Sequence, residues 1–124
     1  MAEINPKKAT ERRRYPRIKR EIPLKIKYDN YDTVGQTHDI SCIGAYCTVN
    51  KHIPLFSKIS IILLLPLNNP GKNDYCSVRC KGAVVRVERN PQDDNEYNVA
   101  VYFNEISRSG RAKLTQYVHQ QLWT

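Results

Sequence analysis

Four arginines fall within six positions of the run Glu11-Arg12-Arg13-Arg14-Tyr15-Pro16-Arg17. Guanidiniums this close repel one another and cannot be buried without partners. Pro16 disfavours helix at Tyr15. In an extended segment Arg13 and Arg17, four residues apart, point the same way about 13 Å from each other. They make two prongs suited to phosphate and to the guanine O6/N7 edge, which planar guanidinium forks recognise bidentately. A second compact set of polar groups follows about twenty residues later, in Asp39-Ile40-Ser41-Cys42-Ile43-Gly44. Asp39 and Ser41 share one side of an extended segment. The carboxylate can accept from a guanine edge or hold an arginine, the hydroxyl can donate to phosphate or a ring nitrogen, and Gly44 lets a ligand approach the backbone. The plainer reading of the same residues is a solvated basic segment followed by an Asx or Ser/Thr turn at a strand start.

Both sets need elements to hold them. Residues 1–10 have little apolar content and are expected to be a disordered tail, with residues 11–20 a flexible basic arm. Ile22, Leu24, Ile26 and Tyr28 alternate with polar residues as a strand with one wet face, and Pro23 places it at a strand start or an edge. Asp29 to Asp32 reads as a turn and residues 33–39 as a short strand. Ile43 to Val49, Lys58 to Leu65, Cys76 to Glu88 and Tyr97 to Phe103 complete the strand set, with Pro66 ending the most apolar of them. Within Cys76 to Glu88 the alternation changes phase at Gly82, after which Ala83, Val85 and Val87 match, so a bulge or bend is expected there. The period then becomes helical: Leu114, Tyr117, Val118 and Leu122 form a stripe on a helix from about 108 to 122 that Ser107 or Ser109 can cap. About six short strands and one closing helix predict a mainly β fold, a small antiparallel β-barrel with a C-terminal α-helix. A single domain over 11–124 is expected, with the barrel in 21–105 and the helix in 107–122.

Charge is uneven along the chain. Residues 1–27 hold ten Lys/Arg against three Glu, which is nearly all of the net charge of +8. A basic arm on a neutral body calls for an anionic partner. No apolar run reaches membrane-spanning length, and the N-terminus lacks a leader's apolar segment, so a cytoplasmic protein that contacts no membrane is expected. Cys42, Cys47, Cys76 and Cys80 have CxxxxC and CxxxC spacings, unlike a zinc ribbon; small core thiols without metal are expected. His38, His52 and His119 are scattered, and His38 beside Asp39 would point to the opposite face of a strand. Enzymatic chemistry is therefore not expected.

Taken together, RxxxR (Arg13, Arg17) and DxSxxG (Asp39, Ser41, Gly44) resemble the paired motifs of the bacterial PilZ domain family. The entry segment ERRRYPRI and the segments LLLP (Leu63 to Pro66), GAVVRV (Gly82 to Val87) and VAVYF (Val99 to Phe103) extend the resemblance over about residues 11–120. One departure is Ala100, where the family commonly has glycine. The resemblance implies a six-stranded antiparallel barrel with the arm across one outer face, binding the second messenger cyclic di-GMP without a further cofactor. It implies binding roles for Arg13, Arg17, Asp39, Ser41 and Gly44, phosphate contacts for Arg12 and Arg14, and base neighbours in Val84 and Arg86. Ligand-induced ordering of the arm would signal to a downstream effector protein. The competing reading is a single-stranded nucleic-acid-binding β-barrel whose tyrosines (Tyr15, Tyr28, Tyr31, Tyr46, Tyr97, Tyr102) stack on bases.

Overall fold

A computed structural model describes residues 15–66 and 74–122. The first strand, β1 (Pro23–Tyr28), buries Leu24 and Ile26 and exposes Lys25 and Lys27, with Pro23 at its first position, where no ladder donor is lost. A two-residue loop follows, its Asp29 at φ 55°, a left-handed backbone that Asp tolerates better than most residues. The next strand, β2 (Tyr31–Ile40), is ten residues long, three more than the 33–39 expected. The added residues are Tyr31 and Asp32, which pair with Tyr28 and Lys27 and so shrink the expected turn to Asp29-Asn30, and Ile40, which pairs with Ala45. The inward positions include Thr33 and Thr37, polar residues that are 2% and 0% exposed. Each hydroxyl has a partner: Thr33 donates to Asn50 Oδ1 (2.6 Å), and Thr37 accepts from the Ile22 amide (2.9 Å).

Strands β3 (Gly44–Val49), β4 (Lys58–Pro66), β5 (Tyr75–Arg89) and β6 (Tyr97–Ile106) complete the set. All pairings are antiparallel and the barrel closes in the order β1-β2-β3-β6-β5-β4. Closure leaves no unpaired strand edge. The lumen is filled by alternate inward side chains, among them Ile26, Ile40, Ile61, Leu63, Val84 and Val99. Between β3 and β4 the chain pins itself with fully buried Ile53 and with amide bonds between Phe56, Ser57 and Val84. Phe56 is itself 72% exposed at φ 68°, an unusual conformation for a bulky residue.

The expected phase change in β5 is real but sits elsewhere. Gly82 keeps the inward phase of Val78 and Cys80, and Val84 follows it into the core; the extra residue is Val85, between Val84↔Val101 and Arg86↔Ala100. Gly82 instead faces a bulge in β6 at Asn104, and a Cβ on it would stand 2.2 Å from the Tyr102 carbonyl oxygen. Glycine is there for close strand passage rather than for a change of face.

The helix α1 (Arg108–Leu122) begins at Ser107, whose hydroxyl accepts from the Gly110 amide at 3.0 Å, a standard N-cap. It buries Leu114, Tyr117 and Val118 in the common core. Leu122, expected on the same stripe, is 46% exposed, so the apolar face stops one turn early. Cys42, Cys47 and Cys80 are buried free thiols, and burial pushes Cys47 and Cys80 up to about 12. Among the described residues no His, Cys, Asp or Glu cluster could hold a metal, and no helix is long and apolar enough to cross a membrane.

Candidate functional site

The arm and the DxSxxG segment meet through one pair of backbone bonds. Ile18 donates to the Ile40 carbonyl (2.9 Å) and Ile40 donates to that of Ile18 (3.0 Å), an isolated antiparallel bridge between the arm and the last residue of β2. Antiparallel pairing at Ile18↔Ile40 carries Arg17, the residue before Ile18, toward Ser41, the residue after Ile40. Both isoleucines are buried, at 5% and 0% exposed. Further along, Arg20 Nε donates to Gln121 Oε1 of α1 at 2.9 Å, and the Thr37 hydroxyl donates to the Arg20 carbonyl. The arm is thus fastened just downstream of Arg17, which remains exposed and without an ion-pair partner among the described residues. Arg12, Arg13 and Arg14 lie outside the described residues.

DxSxxG forms the tight connection from β2 to β3. The Ser41 amide donates to the Gly44 carbonyl (2.9 Å), and the Ser41 hydroxyl accepts from the Ile43 amide (3.2 Å), so the plainer Ser/Thr-turn reading holds for this hydroxyl. Gly44 is required by its neighbour strand: a Cβ would lie 2.5 Å from the Val101 carbonyl oxygen. Asp39 owes its orientation to a bulge at His38, between the pairs Thr37↔Cys47 and Asp39↔Tyr46. With Thr37 and Ile40 both buried, the bulge turns His38 and Asp39 to the outside together, contrary to simple alternation. No hydrogen bond joins them among the described residues. His38 Nε2 bonds the Thr48 hydroxyl, and the Asp39 carboxylate has no partner among the described residues.

These pieces line one groove of about 350 Å³. Arg17 and Asp39 stand at it with Ser41 and Gly44, and Tyr46 and Arg86 form its far side. Arg86 lies over the Tyr46 ring (5.3 Å to the centroid) and reaches Glu88 at 3.4 Å, which the Tyr46 hydroxyl also contacts at 3.2 Å. Its basicity is raised by the hydrogen bond to Tyr46 and then by the charge of Glu88. The site therefore offers cationic forks, one free carboxylate and an aromatic face, a set fitted to a ligand with phosphates and hydrogen-bonding bases.

Of the expected base neighbours, Arg86 lies at the groove and Val84 does not; Val84 is 0% exposed and points into the barrel. The bulge gives its place to Val85, 49% exposed on the groove. Tyr46 was legible, two residues beyond Gly44 on the outward phase; Val85 was not, because no sequence signal marks the extra residue. The tyrosines do not make one stacking track. Tyr31, Tyr46 and Tyr97 already carry Lys51, Arg86 and Arg89 over their rings.

Residues 11–120 match the model of the PilZ domain family. The chain belongs to this family. The inhibitor of motility MotI/DgrA of Bacillus subtilis is similar in structure, at 17% identity and a TM-score of 0.74 over 91% of this chain and 52% of that one. Our PilZ chain thus spans about half the length of MotI. The PilZ domain of YcgR from Escherichia coli, solved with c-di-GMP, is 16% identical with a TM-score of 0.61, covering 90% of this chain and 92% of that one. No match is found among curated protein sequences. At such identities the solved structures establish the shared barrel fold.

Proposed function

We propose that this PilZ domain is a receptor for cyclic di-GMP. The phosphates are held by the arm, through Arg17, Arg13 and, more peripherally, Arg12 and Arg14. Asp39 accepts from a guanine edge, and Tyr46 with Arg86 flanks a base. Ser41 and Gly44 shape the corner by fixing the β2–β3 turn rather than by reaching out. The observation that carries this reading is the Ile18–Ile40 bridge, which brings Arg17 to the same groove as the unpaired Asp39 carboxylate. Family membership and a similar PilZ domain solved with this ligand support it.

Signalling follows from charge. Without ligand the arginines upstream of the bridge repel one another; ligand phosphates neutralise them, the arm folds onto the groove, and the altered surface is read by a downstream protein. Calorimetric titration of Arg13→Ala and Arg17→Ala with cyclic di-GMP is the test. Each loses about 1.5–3 kcal/mol for a charge-assisted bond, tenfold or more in affinity. Unchanged affinity in both variants refutes the clamp. Competition with cyclic di-AMP and with oligothymidylate separates guanine recognition from general nucleic-acid binding, which would show steep salt dependence and no preference for guanine.

A further inference from the structure

The barrel order places β4 opposite β3, so the outer face centred on β4 looks away from the ligand groove. That face has its own relief. Cross-strand register aligns Lys25, Ile62 and Arg79 in one row and Lys27, Ser60 and Lys81 in the next. Long basic side chains on β1 and β5 thus stand on either side of short or apolar ones on β4. Adjacent strands lie about 4.8 Å apart, so the two basic walls are separated by roughly 10 Å. Between them is a groove of about 720 Å³ with Ile62 in its floor and Ile106 at its end. A second depression of about 640 Å³ shares Lys27, Ser60 and Lys81 and continues the trough to Lys58. In the other direction Leu64, 38% exposed, prolongs the apolar floor.

The charge here is only partly answered from within. Lys25 meets Asp32 at 3.1 Å and Lys81 meets Glu105 at a loose 3.9 Å. Lys27, Lys58 and Arg79 have no ion-pair partner among the described residues. We propose that the β1–β4–β5 face is a docking trough for an acidic segment of a partner protein that sets an apolar side chain on Ile62 between the basic walls.

Three features favour this occupant. A second copy of the chain would bring this cationic surface against itself, since a two-fold interface pairs each patch with its own image. Closure of the barrel leaves no edge for a partner strand to extend, so recognition must run through side chains in a groove. A nucleic-acid backbone would satisfy the cations yet leave the Ile62 and Leu64 floor uncovered, whereas an acidic segment with an apolar residue answers both.

The test uses fluorescence anisotropy with a fluorescein-labelled peptide carrying a leucine pair flanked by glutamate pairs. It is compared with a lysine-flanked counterpart, labelled oligothymidylate and phosphatidylglycerol vesicles. The acidic peptide is expected to bind, to lose tenfold or more in affinity on Lys27→Glu/Arg79→Glu, and to weaken with salt. It should bind Arg17→Ala as it binds the unaltered chain. All these side chains are exposed, and Lys27→Gln/Arg79→Gln serves as a milder pair should charge reversal disturb folding. The proposal is overturned if the acidic peptide fails to bind or binds the altered face equally well. It is equally overturned if oligothymidylate or vesicles bind there in its place.

Discussion

Replacing Ile18 with alanine weakens the fastening of the arm without removing any proposed ligand contact. Ile18 is 5% exposed and bridges Ile40 by two amide bonds of 2.9 and 3.0 Å. Alanine retains both bonds but deletes three buried carbons, worth about 2 kcal/mol at roughly 0.8 kcal/mol each. Because the segment lies outside the six barrel strands, the loss should fall on arm docking more than on global stability. At 1.4 kcal/mol per decade the docking equilibrium shifts by roughly thirtyfold. Apparent affinity falls with the fraction of chains whose arm is docked, so thirtyfold is the ceiling for the loss of cyclic di-GMP binding. Ile18→Val, which deletes one carbon, should lose only a few-fold. Isothermal titration gives the affinities, and amide exchange at Ile18 and Ile40 reports docking. If exchange shows the bridge loosened in Ile18→Ala while affinity stays unchanged, Arg17 does not depend on the bridge and the reasoning fails.

Gly44→Ala places a Cβ 2.5 Å from the Val101 carbonyl oxygen, a backbone atom with little room to yield. Urea unfolding should show a loss of about 1–3 kcal/mol, typical of overpacking, and unchanged stability would refute the close-passage account. Phe56→Gly relieves φ 68° at a side chain that is 72% exposed and contributes little packing. A gain of about 1 kcal/mol is expected, a rise in melting temperature of roughly 4 °C. Alkaline pH acts in the opposite direction. The Cys47 and Cys80 thiols rise from 9.0 to about 12 on burial, so between those values the unfolded chain sheds protons that the folded chain keeps. The unfolded state then binds fewer protons and stability falls as pH rises. In reductant, Cys47→Ala/Cys80→Ala should flatten that slope of melting temperature against pH, and an undiminished slope would contradict it.

Much of this could be read from the chain itself. Period-two patterning over Leu24 to Ile26 and Val99 to Phe103 announces strands because each buries one face, and the switch near Ser107 to helical spacing announces α1. The arginine run stood out because clustered like charges need water or an anionic partner, whereas the acid–hydroxyl–glycine set had an equally plain reading as a turn, the role that the Ser41 hydroxyl takes. The turn-like run Asp29 to Asp32 concealed the true length of β2, since only pairing with Tyr28 and Lys27 shows that Tyr31 and Asp32 belong to the strand.

Three matters were decided only in the folded barrel. One is which side chains face out. The bulges at His38 and Val85 each insert a residue, and a period-two pattern has no means of saying where the phase slips. Another is that Gly44 serves the β6 backbone first, a contact made by residues far apart in the chain. The last is that Lys25 and Lys27 stand across β4 from Arg79 and Lys81, which follows from ring closure. Local sequence determines what each strand can bury; strand pairing determines which outward side chains become neighbours, because register is a property of two strands and is written in neither alone.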